Sequence, residues 1–522
     1  MVKGTTAGAI APMPPSATTF NWATLQNGSD IRGVALEGVP GEPVNLTPEV
    51  VTTLGQAFAT WLSAELDLPL AELTIAIGRD SRLSGPELMA AAIAGISNLG
   101  CRVLDVAMAS TPAMFMATVL PEFACHGAIM MTASHLPFNR NGLKFFTRRG
   151  GLGKKEISRI LALAEQGNFA PAAPGPVERR DLIGAYAAGL VQQIRQAVNH
   201  PDQFEQPLRG LKIIVDAGNG AGGFFASQVL APLGADTTGS QFLDPDGTFP
   251  NHVPNPEDAA AIASICQAVV AQGADFGLIF DTDVDRGAAV DGDGRELNRN
   301  RLIALIAAIV LQEHPGTTIV TDSTTSDGLT RFIEGHLGGI HHRFRRGYKN
   351  VINEAIRLNE AGQPSWLAIE ASGHGAMKEN YFLDDGAYLV SKLLVELAKT
   401  RLNGQRLTDL IAPLQDPHAS REYRLKILAP EAQVYGAEVM NQLKDFVATQ
   451  ADWAIEPSYE GVRVSCSNPD ENGWFMMRMS LHDPVLPLNV ESNVAGGVAK
   501  VGDRLTSFFE TLEGLDISAL GT

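Results

Sequence analysis

The chain has 522 residues, and 40 Lys and Arg against 58 Asp and Glu leave a formal charge of −18. A field of that sign repels polyphosphate backbones and anionic lipid, which argues against nucleic-acid and membrane-surface partners but leaves room for a local basic pocket. Apolar residues at 45% suit a soluble protein, and the length predicts about three or four domains, each able to bury its own core.

Residues 1–20 carry one Lys, several prolines and no apolar h-region, and read as a disordered leader rather than a signal peptide. A rhythm of short strand, polar loop and helix then begins. Residues 74–77 run into Gly78-Arg79-Asp80-Ser81-Arg82. Ser84 and Glu87 have the spacing of a capping box, and Leu88, Ala92, Ile93, Ile96 and Leu99 form one apolar helix face that Gly100 stops. The apolar run 128–131 ends in Thr132-Ala133-Ser134-His135, and Lys144 follows within reach of the same loop. A Ser beside His at a strand end suits either a nucleophile or a solvated turn. It lies in no G-x-S-x-G elbow, which speaks against an α/β-hydrolase. The Pro, Ala and Gly of 167–177 read as a surface connection.

A second unit follows His200-Pro201, where 213–215 lead into Asp216-Ala217-Gly218-Asn219-Gly220. Gly218, Gly220 and Gly223 match a dinucleotide fingerprint by the letter, but no strand-end acid stands at the ribose-binding distance, so tight helix–sheet packing is the simpler reading. The strand 276–280 then delivers Asp281, Asp283 and Asp285, expected to alternate in an extended stretch with their carboxylates on one side. Three such groups repel unless one is protonated or a cation sits among them, and hard oxygen ligands beside a phosphate favour Mg2+. An acidic turn is the alternative. A calcium loop fails, because Arg286 and Gly292 stand where Gly and Glu are required.

A third unit begins near His314-Pro315-Gly316 with strand 317–320 and loop Thr321-Asp322-Ser323-Thr324. Arg343, Arg345, Arg346 and Lys349 crowd positive charge into an acidic chain, as a solvated face or a steering patch for an anion. Strand 366–369 ends in Glu370, Ser372 and His374, an acid, a hydroxyl and an imidazole suited to a polyhydroxylated ligand. From 414–420 onward the pattern changes to strands at 462–467, 474–480 and 486–491. Cys101, Cys125, Cys266 and Cys466 lie far apart, without zinc-finger or disulfide spacing, and fit a reducing compartment. The longest apolar run, 302–311, is too short for a membrane span, and a cytoplasmic location is expected.

In this order the loops resemble the α-D-phosphohexomutase superfamily from about Asn27 to the C-terminus. Ser29-Asp30-Ile31-Arg32-Gly33 resembles its S/T-G-I-R-G, and Gly78-Arg79-Asp80-Ser81-Arg82 its G-R-D-x-R. Thr132-Ala133-Ser134-His135-Leu136-Pro137 with Asn141-Gly142-Leu143-Lys144 resembles T-A-S-H-N-P…N-G-x-K. Asp281 to Arg286 resembles the metal loop D-G-D-x-D-R, and Glu370 to His374 the sugar loop E-x-S-G-H. The resemblance implies an α/β protein of four domains around a central cleft, three repeated mixed α/β domains and a smaller C-terminal α+β domain. The expected boundaries are 21–200 for the phosphoserine loop, 201–314 for the metal loop, 315–418 for the sugar loop and 419–522 for the phosphate-binding domain. It implies that Ser134 is phosphorylated and that Ser134, Asp281, Asp283 and Asp285 hold Mg2+. Catalysis would fall to Ser134, His135, Lys144 and Arg32. Substrate binding would fall to Arg286, Arg345, Lys349, Glu370, Ser372, His374, Arg478, Ser480 and His482. Interconversion of glucose or mannose 1- and 6-phosphates through a hexose 1,6-bisphosphate is the implied reaction, with that bisphosphate as activator and a monomer or homodimer as the working form.

The C-terminal phosphate loop departs from the family's R-x-S-[GN]-T-E-P. It reads Arg478-Met479-Ser480-Leu481-His482-Asp483-Pro484, and Pro487 stands where a second Arg belongs. Leu136 likewise replaces Asn. The altered loop motivates a hexose-1,6-bisphosphate synthase on the same scaffold as the alternative, and a non-catalytic phosphosugar-binding protein is the third reading.

Overall fold

The computed structural model describes residues 20–480 and 483–521. The expected leader, apart from Phe20, and His482 lie outside the described residues. Among the described residues there are four sheets, and no helix is long and apolar enough to cross a membrane.

The first sheet orders its strands Gln26–Asn27, Asp30–Val34, Arg140–Thr147, Gly127–Met131, Thr74–Arg79, Arg102–Met108 and Val177–Arg179, with Gly150–Gly151 pairing onto Arg140–Thr147. The second runs Gly287–Asp291, Phe276–Phe280, Ile213–Asp216. The third runs Ile340–Phe344, Thr318–Asp322, Ser365–Ile369, Gly375–Met377, Leu383–Asp384. One construction recurs in all three. Gly127–Met131, Phe276–Phe280 and Ser365–Ile369 each lie parallel to one neighbour and antiparallel to the strand that follows them in the chain. The loop turning each into its antiparallel partner is, in order, the Ser134 loop, the aspartate loop and the Glu370 loop. The triplication expected from sequence is therefore a repeat of strand–loop–strand geometry.

Side-chain alternation divides the core. Ile75 and Ile77 face a helical layer that includes Pro48–Leu66, Gly85–Ser97 and Lys154–Gln166, while Ala76 faces the other way. Ile214 and Ile279 pack on Ala259–Gln272, and Val320 and Ala368 on Tyr348–Glu360. The opposite faces of all three sheets meet one continuous apolar core with Leu182–Val198, Asn300–Glu313 and Gly386–Leu402. That common core holds the three loops in fixed relation. The fourth domain is an antiparallel sheet with Ala432–Ala448 and Gly497–Phe509 around a core of its own.

Two local expectations are corrected. Ser84 makes no capping hydrogen bond. It already has helical backbone (φ −76°, ψ −12°), and its Oγ accepts from Asn141 Nδ2 at 2.9 Å. Asp281 to Asp285 do not continue the strand but form a turn, with Val284 N–H donating to the Asp281 carbonyl at 3.3 Å.

Candidate active site

Ser134 stands in left-handed backbone, φ +51°. For a residue with a side chain this conformation costs energy and persists only where the surroundings impose it. Arg82 does much of the imposing. Wholly buried, it donates Nη1 to the carbonyls of Pro137 (2.8 Å) and Arg140 (2.9 Å) and Nη2 to those of Leu136 (2.6 Å) and Ser134. Asp80 faces its Nε at 3.3 Å. Arg82 thus ties both sides of the loop to one planar fork. The sequence displayed Arg82 in a motif but assigned it no role. Its signal was a charged residue held in the repeated strand-end position.

The turn geometry of the aspartate loop brings three buried carboxylates together, with one oxygen from each within 4.8 Å of the others. Val284, β-branched at φ +66°, is the strained residue that lets them converge. Lys144 donates Nζ to Asp283 at 2.9 Å and also pairs with Asp285, and Thr111 Oγ1 donates to Asp283. Burial disfavours the Lys144 ammonium, but Asp283 and Asp285 outweigh that and hold its pKa well above the ordinary range. Burial together with Asp285 and Asp283 pushes Asp281 up. Asp283 Oδ1 and Asp285 Oδ1 are buried without a hydrogen-bond partner among the described residues. Two orphaned carboxylate oxygens in a cluster of like charges are the donor set of a hard divalent cation, so these residues fit Mg2+.

Arg286 connects this cluster to Ser134. Its Nη2 donates to Ser134 Oγ at 3.0 Å and to Asp281 Oδ2 at 3.1 Å, and Nη1 donates to Asn255 at 2.9 Å. Ser134 Oγ donates to Asp281 Oδ2 at 3.0 Å. His135 Nδ1 accepts from Arg286 at 2.7 Å, so that nitrogen carries no proton in this arrangement. Arg32 pairs with Asp30 at 3.0 Å.

The residues of the Glu370–His374 loop lie against the same cluster. Arg286 and His374 form a backbone bridge. His374 donates Nδ1 to Asp384 Oδ2 and stacks on Tyr348, with ring centroids 5.0 Å apart. Burial lowers the imidazolium's pKa, yet Asp384 and Asp285 prevail and raise it to about 9. Glu370 accepts from Gly347 N–H at 2.6 Å, and burial lifts its carboxyl to about 7. Ser372 Oγ is buried without a partner among the described residues.

Of the remaining expected residues, Lys349 lines a cavity with Asp30, Lys144, Asp285 and Asp384, while no contact of Arg345, Arg478 or Ser480 with this cluster is seen among the described residues. Arg345 is exposed and donates Nε to the Tyr459 carbonyl at 3.0 Å. Lys349 donates to the carbonyls of Gly151 (2.9 Å) and Leu152, bridging the third domain to the first, and burial lowers it to about 8. Arg478 is buried, with Nη1 donating to the Met479 carbonyl at 3.3 Å. Ser480 Oγ accepts from Asp483 N–H at 3.3 Å.

Sequence profiles of phosphoglucomutase/phosphomannomutase α/β/α domains I, II and III match residues 23–170, 185–294 and 298–416. A phosphomannomutase/phosphoglucomutase of Pseudomonas putida is 31% identical over 483 residues, covering 91% of this chain and 94% of the relative. A phosphoglucomutase of Neisseria meningitidis is 32% identical, covering 91% of this chain and 95% of its own. Among solved structures, a phosphoglucomutase/phosphomannomutase family protein of Burkholderia thailandensis superposes with a TM-score of 0.75 at 26% identity, covering 94% and 98% of the two chains. The Paramecium phosphoglucomutase pp63/parafusin shares the fold, with a TM-score of 0.70 at 17% identity and coverage of 96% and 95%.

Proposed function

The chain belongs to the phosphoglucomutase/phosphomannomutase family and is a phosphohexomutase, and from that premise we propose that Ser134 carries the phosphoryl group exchanged with glucose or mannose phosphates. The observation that carries this reading is the placement of Ser134 Oγ. It is presented by strained backbone, within 3.0 Å of both Arg286 Nη2 and Asp281 Oδ2, beside two carboxylates with orphaned oxygens. The relatives carry mutase names, which favours this reading over the bisphosphate synthase that the altered C-terminal loop motivates and over a non-catalytic binding protein.

In the first transfer the bond from phosphorus to Ser134 Oγ breaks as one forms to a free hydroxyl of the hexose phosphate, giving a hexose 1,6-bisphosphate. After the bisphosphate turns over, its other phosphoryl group returns to Ser134. Arg286 offsets charge on the transferring oxygens, and the fixed loops hold donor and acceptor in line. Lys144 carries the proton, releasing one to the departing oxygen and regaining one from the attacking hydroxyl. His135 and Arg32 frame that exchange. Asp281, Asp283, Asp285 and the phosphate on Ser134 would hold Mg2+, which when bound supplies Lewis-acid polarisation of phosphoryl oxygens. Glu370, Ser372 and His374 supply one acceptor, one hydroxyl and one donor for sugar hydroxyls.

Phosphorus NMR of the protein with Mg2+, glucose 1-phosphate and a trace of glucose 1,6-bisphosphate tests this. Wild type is expected to build glucose 6-phosphate over many turnovers. Ser134→Ala is expected to be silent and to lack the mass of a bound phosphate. Full activity in that variant would overturn the assignment. A chelator should stop turnover and added Mg2+ restore it.

A further inference from the structure

In the family pattern that the C-terminal loop resembles, a second arginine stands where this chain has Pro487, while Arg478 is kept. A hexose phosphate turning over in the cleft must have its non-reacting phosphate held each time, and one guanidinium is a thin grip on a dianion. The structure contains a second guanidinium in the right neighbourhood, from a different domain.

Arg346 precedes the helix Tyr348–Glu360, and its surroundings differ from those of Arg345. The Arg345 side chain is spent on the Tyr459 carbonyl at 3.0 Å. The Arg346 guanidinium makes no hydrogen bond among the described residues. Its nearest ion-pair contact is Glu422 Oε2 at 3.8 Å, beyond hydrogen-bond reach. Arg346 N–H donates to Glu460 Oε1 at 2.8 Å. Gly461, the next residue, sits directly on Arg478, for a Cβ there would fall 2.9 Å from Arg478 Cβ and 2.2 Å from the Met477 carbonyl oxygen. Only the Glu460–Gly461 turn therefore separates Arg346 from Arg478. Arg478 is 6% exposed, and its Nε has no hydrogen-bond partner among the described residues. Two guanidiniums with unspent donors thus flank one turn. Each lies in the field of Asp322 and Glu422, and Arg346 depresses the ionisation of Arg478 after burial itself. A like-charge pair of planar forks is costly alone and favourable once a dianion lies between its members.

The location suits the substrate. Gly347, adjacent to Arg346, donates to sugar-loop Glu370 at 2.6 Å. Arg346 lies in the field of Glu257, whose carboxylate is 4.0 Å from Arg286 Nη1, and Arg286 contacts Ser134. A sugar resting on Glu370 would thus have one end toward Ser134 and the other toward Arg346.

We propose that Arg346 of the third domain binds the non-reacting phosphate of the hexose phosphate together with Arg478 of the fourth, taking the place of the arginine that the family pattern has where Pro487 stands. This deepens the mutase reading and rests on it. Because the two arginines come from different domains, the grip would be complete only when those domains are together.

Two measurements on the full chain test it separately. In steady-state turnover of glucose 1-phosphate, Arg346→Ala is expected to raise KM by about tenfold or more with a smaller change in kcat, and Arg346→Lys to lose less, since a charged bidentate phosphate contact is removed in one and only weakened in the other. In calorimetry with Ser134→Ala protein and glucose 6-phosphate, adding Arg346→Ala is expected to weaken binding by a similar factor. Wild-type turnover with KM and calorimetric affinity within about twofold after Arg346→Ala would overturn the Arg346 assignment and leave the mutase standing, a twofold change being less than one hydrogen bond is worth. Absence of turnover in wild type, with binding still dependent on Arg346, would instead overturn the mutase reading alone.

Discussion

Arg82 touches no reacting atom, yet it holds the carbonyl of Ser134 and those of Leu136, Pro137 and Arg140 that follow it. Replacing it with Met should destabilise the protein by about 3–5 kcal/mol, because Asp80 is left buried and unpaired. Arg82→Lys should keep more of that stability but lower kcat, since one ammonium cannot reach four carbonyls. Denaturant titration and kcat together check this, and an unchanged kcat in Arg82→Lys would refute the positioning role. At this scale the sequence was legible where chemistry and motif coincide. Ser134, Lys144, Arg286 and the three aspartates are named by type and spacing, and the structure gathers them. Adjacent charges were harder to separate. Arg345 and Arg346 are indistinguishable in a string of letters, and only the packing of the Tyr459–Gly461 segment sends one to a surface carbonyl and leaves the other's guanidinium without a hydrogen bond among the described residues.

Among the elements, strand-ending loops were readable because β-branched runs stop abruptly at polar residues. The aspartate loop was misread as extended because alternate spacing looks the same in a strand and in a turn, and the difference lies in the Val284 backbone. The Ser84 cap was misread because a tertiary partner, Asn141, claims the hydroxyl. The strand Val485–Ser492 carries another element-level feature. Glu491 is buried, accepts from Trp474 Nε1 at 2.9 Å, and burial lifts its carboxyl to about 7 against the effect of that hydrogen bond. An unfolded glutamate titrates near its ordinary value, so between that value and about pH 7 the folded state binds more protons. Stability from this group is present at acid pH and lost as pH rises through the window. Glu491→Gln keeps the acceptor and removes the titration. The thermal midpoint of wild type should therefore fall relative to Glu491→Gln as pH rises to about 7. Parallel profiles would refute it.

At the scale of the whole molecule, the fourth domain is held by Arg463. It is buried and donates to the Ser323 carbonyl (3.1 Å), Asp327 (2.9 Å) and Glu456 (3.2 Å), with its guanidinium 3.7 Å from the Trp474 ring centroid. Arg463→Ala should let that domain swing away, enlarging the radius of gyration in solution scattering and raising KM. Unchanged scattering and KM would show that other contacts suffice. The first three sheets have no comparable freedom. Their common core means that none of them could be excised and still bury its apolar face, whereas the fourth brings its own. Modularity is thus concentrated at one end of the chain, close to the connection between Gly386–Leu402 and Ala419–Ile427. Exchange of that end with a relative's would therefore disturb one seam and leave the shared core of the other three sheets, and the Ser134 loop within it, as they are.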